Sequence, residues 1–240
     1  MADAGVASRR ACEELIVMGV VQVNGKVVRE LGSKFNPKNI ELVIEGRKIS
    51  LKKSKLYIAF YKPRGVLSSM EEPGGRLNLG NYFSIHGKFN SLFEGENSRV
   101  YHVGRLDKES EGLILLTNDG DFAYRLTHPK FGIRKTYLVE VEGELTKTTL
   151  VKWTKGITIE DGIAKAIKAT LVRSKADGTH WIEVVLDEGR NQIIRKMCKA
   201  SGLKVKQLIR TQMGNVKIGE LKSGRYRILS DVEVEKLFNL

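Results

Sequence analysis

Cysteine is nearly absent from this chain. Cys12 and Cys198 are its two cysteines; they lie far apart and belong to no paired motif. A disulfide framework is excluded, and a reducing, cytoplasmic setting is expected. The four histidines, His86, His102, His128 and His180, are scattered. No Cys/His spacing suits zinc and no HExxH occurs, so no metal site is expected. GxxxxGK[ST] and GxGxxG are missing too, which argues against a nucleotide cofactor. Long hydrophobic runs are also lacking: the longest, LIVMGVV at residues 15–21, contains a glycine. It is far too short to span a bilayer. No basic start followed by an apolar stretch marks a signal peptide.

What the chain has in excess is positive charge. Its net charge is +13 and its pI is about 9.7. Such a balance points to a polyanionic partner, because Lys and Arg release counterions from phosphates. An anionic membrane surface is the competing partner, and it calls for a long basic amphipathic helix. The basic helix at 9–18 is too short for that, and its apolar stripe too narrow. With 240 residues, 41% of them hydrophobic, the chain suits one sizeable domain with a small appendage.

The appendage reads from residue 8. Ser8 can cap a helix over RRACEELIVM, with Ala11, Leu15 and Met18 on one face and Gly19 at a left-handed C-cap. VVQVNGKVV then predicts a hairpin around Asn24-Gly25, and IELVI a further strand leading to Glu45-Gly46. Residues 1–49 thus form a helix-plus-hairpin module, and the polar, basic stretch 50–56 reads as a linker. Residues 57–240 form the main domain. Its strands are expected at 57–61, 100–103, 113–116, 136–142, 165–173, 180–186 and 204–211, its helices near 120–127, 146–154, 190–201 and 230–238. Segment 71–98, rich in Gly, Asn and Ser, is expected to be irregular. Strands outnumber helices and short turns join several of them, which predicts an α+β fold with a mixed or antiparallel sheet.

Arg9 and Arg10 place two cations at the positive end of a helix dipole, a local cost that a phosphate partner would reverse. Lys26 and Arg29 beside the hairpin extend the basic surface. A solvated charged face would look the same. The string AGVASRRACEELIVMGVVQVNGKVV also resembles the alpha-L RNA-binding module, over most of that module's length. The family has a further helical turn before this point, so either the start is cut back or the first helix is abbreviated. The resemblance implies that Arg9, Arg10 and Lys26 contact RNA.

The stretch VYHVGRLDKESEGLILLTNDGDFAYRLTHP, residues 100–129, reads as a strand, a charged loop, a buried strand, an Asp119-Gly120 turn and a short helix. Asp107 stands in the loop between Arg105 and Lys108. Cations favour the ionised carboxylate, as a nucleophile or base requires. Taken bare, an Asp making a turn or a surface ion pair is the commoner arrangement. But GRLDKESEGLILLTNDG resembles the signature GRLDxxTxGLLLLTNDG of the ribosomal-RNA pseudouridine synthases related to the Rsu and Rlu enzymes, with Ser110 in place of the usual Thr. Further blocks follow in the family's order. YIAFYKPRGVLSS resembles the strand-plus-KPxG block, which maps to Lys62, Pro63 and Gly65. KTYLVEV resembles the block with the active-site tyrosine, here Tyr137. LDEGRNQIIRKMCKASG resembles the EGRNRQVRRM helix, with Arg190, Asn191 and Arg195 in place and Gln192-Ile193 altered. VKQLIRTQMG resembles the closing strand, whose base-packing aliphatic residue maps to Leu208, with Ile209 adjacent.

The resemblance covers nearly the whole chain and implies a chemistry. The uridine C1′–N1 bond breaks, the base turns, and C1′ rejoins it at C5. Nothing is oxidised and no group is donated, so no cofactor is required. The sugar carbon is hidden in stacked RNA, so the nucleotide must be flipped out or unpaired. By resemblance, Asp107 attacks the sugar or removes a sugar proton, Arg195 pairs with its charge, and Tyr137 stacks on the base and relays the C5 proton. Lys62, Arg105, Arg190 and Asn191 hold RNA or the loop. The partner implied is ribosomal RNA, with the YKPRG block and overall layout closer to the large-subunit, RluB-like branch. A monomer is expected. The alternative is a non-catalytic rRNA-binding assembly factor, which would not need an Asp, a Tyr and an Arg in their family places.

Overall fold

The computed structural model describes residues 1–36, 39–51, 54–71, 74–86 and 99–239. Helix α1 (Arg9–Met18) begins where Ser8 Oγ accepts from the Ala11 amide at 3.2 Å, and it ends at Gly19, φ 75°. Glycine suits the position: the backbone is left-handed, where a side chain is strained, and the Arg29 guanidinium lies in the space a Cβ would take. Arg29 Nη1 donates to the Val17 carbonyl at 3.2 Å, which sets a cation at the negative end of the helix. The inward face is Cys12, Leu15 and Ile16. Met18, expected on that face, is 65% exposed, because the helix stops there and no further turn covers it.

Strands β1 (Val21–Val23) and β2 (Lys26–Val27) form the hairpin around Asn24-Gly25, both with positive φ. Strands β3 (Leu42–Ile44) and β4 (Arg47–Ile49) repeat the device around Glu45-Gly46. The order is β2-β1-β3-β4, all antiparallel, with Val21, Val23, Leu42 and Ile44 packed as a small core. β4 lacks an apolar alternation, so pattern reading passes over it.

Residues 52 and 53 of the expected linker lie outside the described residues. Ser54 and Leu56 are fixed. Asn118 accepts from the Leu56 amide and donates to the Ser54 carbonyl, each at 2.9 Å, and Thr117 Oγ1 donates to the Leu56 carbonyl at 2.7 Å.

The main sheet is mixed. Its strands are β5 (Tyr57–Lys62), β6 (Tyr101–Val103), β7 (Glu111–Thr117), β8 (Lys135–Glu142), β11 (Lys168–Ser174), β12 (Thr179–Leu186), β13 (Lys204–Met213), β14 (Val216–Lys217) and β15 (Tyr226–Ile228). The order is β11-β12-β8-β13-β7-β5-β15, with β14 on β13 and β6 on β7. Beside it stands a separate hairpin of β9 (Ile157–Ile159) and β10 (Gly162–Ala164). Leu113, Ile114, Leu115 and Leu116 are all fully buried, so β7 is covered on both faces, as its unbroken apolar run requires. One face packs under α3 (Gly120–Thr127) and α6 (Asp231–Phe238), through Phe122, Leu126 and Leu237. The other packs under α2 (Leu79–His86), through Leu79 and Phe83. α2 departs from the irregular structure expected over 71–98; its two buried side chains, one helical turn apart, anchor it on Ile58 and Phe60. Residues 72, 73 and 87–98 of that segment lie outside the described residues. The β8–β12 half packs under α4 (Lys147–Lys155) and α5 (Ile193–Ala200), with Trp153 fully buried and its indole donating to Ser201 Oγ at 2.8 Å.

On β7, Gly112 pairs with Lys62 of β5 and with Arg210 of β13, while Thr117 pairs with Tyr57 of β5 and Tyr101 of β6. β13 and β6 therefore share the edge opposite β5. β13 holds it at Glu111 and Gly112, in the sheet's parallel pairing, and then diverges. Gly112 has φ 104°, and a Cβ there would fall on the Arg210 carbonyl oxygen and 2.7 Å from its amide nitrogen. Gly112→Ala is expected to destabilise the fold by about 2–3 kcal/mol or more, from backbone strain plus overpacking. Urea denaturation reads this directly, and a loss below about 1 kcal/mol would mean the two strands can part at no cost.

Candidate active site

The loop 104–110 emerges at the fork between β6 and β13, and its backbone is tied down almost residue by residue. Ser68 Oγ donates to the Leu106 carbonyl at 2.7 Å and accepts from the Leu106 amide at 3.0 Å. The Gly65 amide donates to the Lys108 carbonyl at 2.8 Å. Arg210 Nη1 donates to the Arg105 carbonyl at 3.3 Å, and Arg195 Nη2 to the Glu109 carbonyl at 2.9 Å. Arg64 pairs with the Glu109 carboxylate at 2.9 Å. The loop closes on itself through the Ser110 amide and the Asp107 carbonyl, 3.0 Å apart. The KPRGVLSS segment is thus the bracket that grips the loop. Among the described residues, the Asp107 carboxylate itself has no hydrogen-bond or ion-pair partner.

That carboxylate opens into a cleft of about 750 Å³, a size common for small-molecule sites. Tyr137, Leu208, Arg105, Arg190 and Asn191 line the same cleft. Register explains the convergence. Leu208 stands opposite Val139, and Arg210 opposite Tyr137, so these four side chains share one face of the sheet. Ile209 points the other way, which selects Leu208 of the two neighbours. Ser110 also lines the cleft, buried, and among the described residues its Oγ has no hydrogen-bond partner.

Other candidates sit differently. Lys62, expected to contact RNA, is 0% exposed. Its ammonium donates to the Pro63 and Val66 carbonyls at 2.9 and 2.7 Å, so it braces the bracket and cannot reach a phosphate. Arg190 is spent on Glu188 and on the carbonyls of Asp161 and Ile163, where it ties the EGRN turn to the β9–β10 hairpin. Helix α5 starts later than expected because Gln192 adopts φ 54°, which leaves Arg190 and Asn191 on the turn. Arg195 reaches the loop through the Glu109 carbonyl; among the described residues it forms no ion pair with Asp107. Arg9, Arg10 and Lys26 are exposed on the N-terminal module. They stand outside the cleft lining, and Arg9 lies against Gly120 at the start of α3.

Two cleft residues escaped the sequence reading. Arg210 is 3% exposed. Its Nε donates to the Leu113 carbonyl at 2.7 Å, and among the described residues its Nη2 has no hydrogen-bond partner. Lys135 lines the cleft, and burial together with the Arg210 charge holds it below the ordinary lysine value. Burial likewise pushes Lys62 down to about 8, against the pull of Glu111 and Asp107. In sequence, Arg210 is one more basic residue on a strand; nothing marks it as buried.

Comparison with known proteins shows the family. Residues 56–200 match the family described as RNA pseudouridylate synthase, and residues 1–39 match the S4 domain. The chain is 40% identical over 238 residues to ribosomal large subunit pseudouridine synthase B of Bacillus subtilis, covering 99% of this chain and 93% of that protein. It is 38% identical over 240 residues to an RNA pseudouridine synthase of Mycobacterium leprae, covering 99% and 90%. A crystal structure of a pseudouridylate synthase superimposes with a TM-score of 0.64 at 27% identity, over 98% of this chain and 96% of the other. The chain belongs to the RNA pseudouridine synthase family, with an S4 domain at its N-terminus.

The buried cations give two expectations. Lys62 titrates near 8 in the folded chain and near 10.5 unfolded. Below the lower value both states are protonated and the burial cost is fully present. Between the two the unfolded chain binds more protons, so the contribution of Lys62 to stability rises with pH. Wild type is expected to gain on Lys62→Met by about 1 kcal/mol or more from about pH 7.5 to about pH 10, and a constant gap would contradict the assignment. Arg210→Lys keeps the charge but cannot reach both carbonyls. It is expected to lower kcat at least about tenfold and to move KM by less than about threefold, as steady-state kinetics will show.

Proposed function

We propose that the enzyme isomerises a uridine of large-subunit ribosomal RNA, with Asp107 as the catalytic carboxylate. One observation carries this reading: in a loop whose backbone is tied down on all sides, the Asp107 carboxylate has no hydrogen-bond or ion-pair partner among the described residues, and it faces a cleft walled by Tyr137 and Leu208. A group kept free at such expense of ordering is a group kept for a substrate. Support for the RNA comes from relatives named ribosomal large subunit pseudouridine synthase B, in Bacillus subtilis at 40% and Vibrio cholerae at 35% identity.

In this reading a uridine is flipped into the cleft, at an unstacking cost of a few kcal/mol. Asp107 acts on the sugar as the C1′–N1 bond breaks. Tyr137 stacks on the freed base, Leu208 packs its edge, and C5 bonds to C1′ as the C5 proton leaves and N1 gains one. Buried Arg210 and Lys62 place positive charge beside the loop that carries Asp107, and Arg195 fixes that loop. Arg105 and Asn191, at the cleft wall, contact the flanking backbone. Arg9, Arg10 and Lys26 dock a neighbouring RNA helix, which raises the effective concentration of substrate at the cleft.

Single-nucleotide mapping of pseudouridine in rRNA transcripts of both subunits tests the assignment. Wild type is expected to add one site in the large-subunit transcript, and Asp107→Asn to lower its rate at least about a hundredfold. Retained activity in Asp107→Asn removes the residue from the chemistry. A site in the small-subunit transcript alone overturns the choice of RNA.

A further inference from the structure

The wall of the cleft carries a second cluster that the roles above leave unused. At the end of α3, the Tyr124 ring lies 4.9 Å from His128 and 5.9 Å from Phe131, centroid to centroid. Lys130 Nζ sits 5.1 Å from the Tyr124 centroid and 4.7 Å from that of Phe131. Arg125 Cζ is 5.0 Å from the Phe131 centroid. The backbone under the cluster is held by hydrogen bonds. The His128 amide donates to the Tyr124 carbonyl at 2.9 Å, His128 Nδ1 accepts from the Lys130 amide at 3.2 Å, and the Gly132 amide donates to the Pro129 carbonyl at 3.0 Å. Thr127, His128 and Pro129 line the cleft that holds Asp107, so the cluster flanks that opening.

The burial is graded in a way that packing alone does not require. Phe131 is half-buried on the core beneath and serves as the anchor. Tyr124 is 49% exposed, and only one other aromatic side chain, Phe35, is comparably open among the described residues. The neighbours of its ring are cationic and aromatic, and Lys130 forms no ion pair among the described residues. An exposed ring next to an unpaired cation matches what one unpaired nucleotide offers: a π face and a phosphate. Stacking on such a ring tolerates any base, while the cation contributes an attraction that salt screens.

We propose that Tyr124, backed by His128 and with Lys130 taking a phosphate, is a stacking platform for an unpaired nucleobase adjacent to the flipped uridine. This rests on the reading of the cleft as the uridine site. Its consequence is that the enzyme orders a second nucleotide of a single-stranded loop outside the catalytic pocket, without reading its identity.

The test is zero-length ultraviolet crosslinking of the full-length protein to unmodified rRNA transcripts of both subunits, with the crosslinked residue identified by mass spectrometry, alongside kinetics of three variants. A crosslink at Tyr124 is expected in wild type and in Asp107→Asn alike. Tyr124→Leu keeps apolar bulk on α3 but loses the π face; it is expected to raise KM about tenfold, with the smaller effect on kcat, whereas Tyr124→Phe stays within about twofold of wild type. Lys130→Ala is expected to lower the salt dependence of binding by about one phosphate contact. Absence of the Tyr124 crosslink, or a Tyr124→Leu KM within about twofold of wild type, overturns the platform. Failure of the Asp107 assignment registers separately, in the pseudouridine maps, and leaves the crosslink to decide this proposal.

Discussion

Once β5 has paired along one edge of β7, a single edge remains, and both β13 and β6 use it. Two strands cannot continue side by side in one register position, so they must part. The fork this creates is the cleft. Its sharpest point is Gly112, where β13 approaches so closely that a side chain has no room. The loop joining β6 to β7 has nowhere to run except across the fork, and this sets Asp107 before Tyr137 and Leu208, which arrive on neighbouring strands of the other half-sheet. A split sheet thus brings together residues seventy and a hundred positions apart by ordinary strand register.

The electrostatics follow from the same crowding. Lys62 and Arg210 are buried beside the loop with carbonyl partners only. Burying cations without counter-ions costs several kcal/mol after relaxation, and their attraction to a nearby carboxylate offsets part of that cost. That cost is concentrated beside the cleft that Asp107 faces. Such strain, stored at a site and compensated elsewhere, is expected of functional regions. Here the compensation is visible in the doubly buried β7 and in Trp153 beneath the second half-sheet.

Much of this could be read from the sequence, and the gaps have physical causes. The caps at Ser8 and Gly19, the Asn24-Gly25 hairpin and the strands β5 to β8 and β11 to β13 announce themselves through local chemistry and period, whereas the short β9–β10 hairpin does not. The convergence of Asp107, Tyr137 and Leu208 was legible only through resemblance, because no local pattern encodes contact across β7, β8 and β13. Lys62 misled for a simple reason: a lysine in a basic protein reads as exposed, and its burial depends on the turn it braces. Arg210 was invisible on the same ground. Helix α2 went unseen because Gly80 and Asn81 weaken its propensity, while the anchoring of Leu79 and Phe83 on β5 is a tertiary fact.

The end of the signature illustrates how resemblance can hide architecture. Thr117, Asn118 and Asp119 make no contact with the cleft. Thr117 and Asn118 hold the backbone that leads in from the N-terminal module. Asp119 caps α3 by accepting from the Asp121 and Phe122 amides, accepts from the Tyr57 hydroxyl at 2.8 Å, and pairs with Lys55 at 3.2 Å. Asp3 and Arg9 of the module lie against Gly120 at the same end of α3. The other end of that helix is the His128 turn, in the wall of the cleft. One two-turn helix therefore has the S4 domain at its start and the Asp107 cleft at its finish. The helix spans the two, so the three polar residues of the signature fix the spacing between the N-terminal module and the cleft that Asp107 faces.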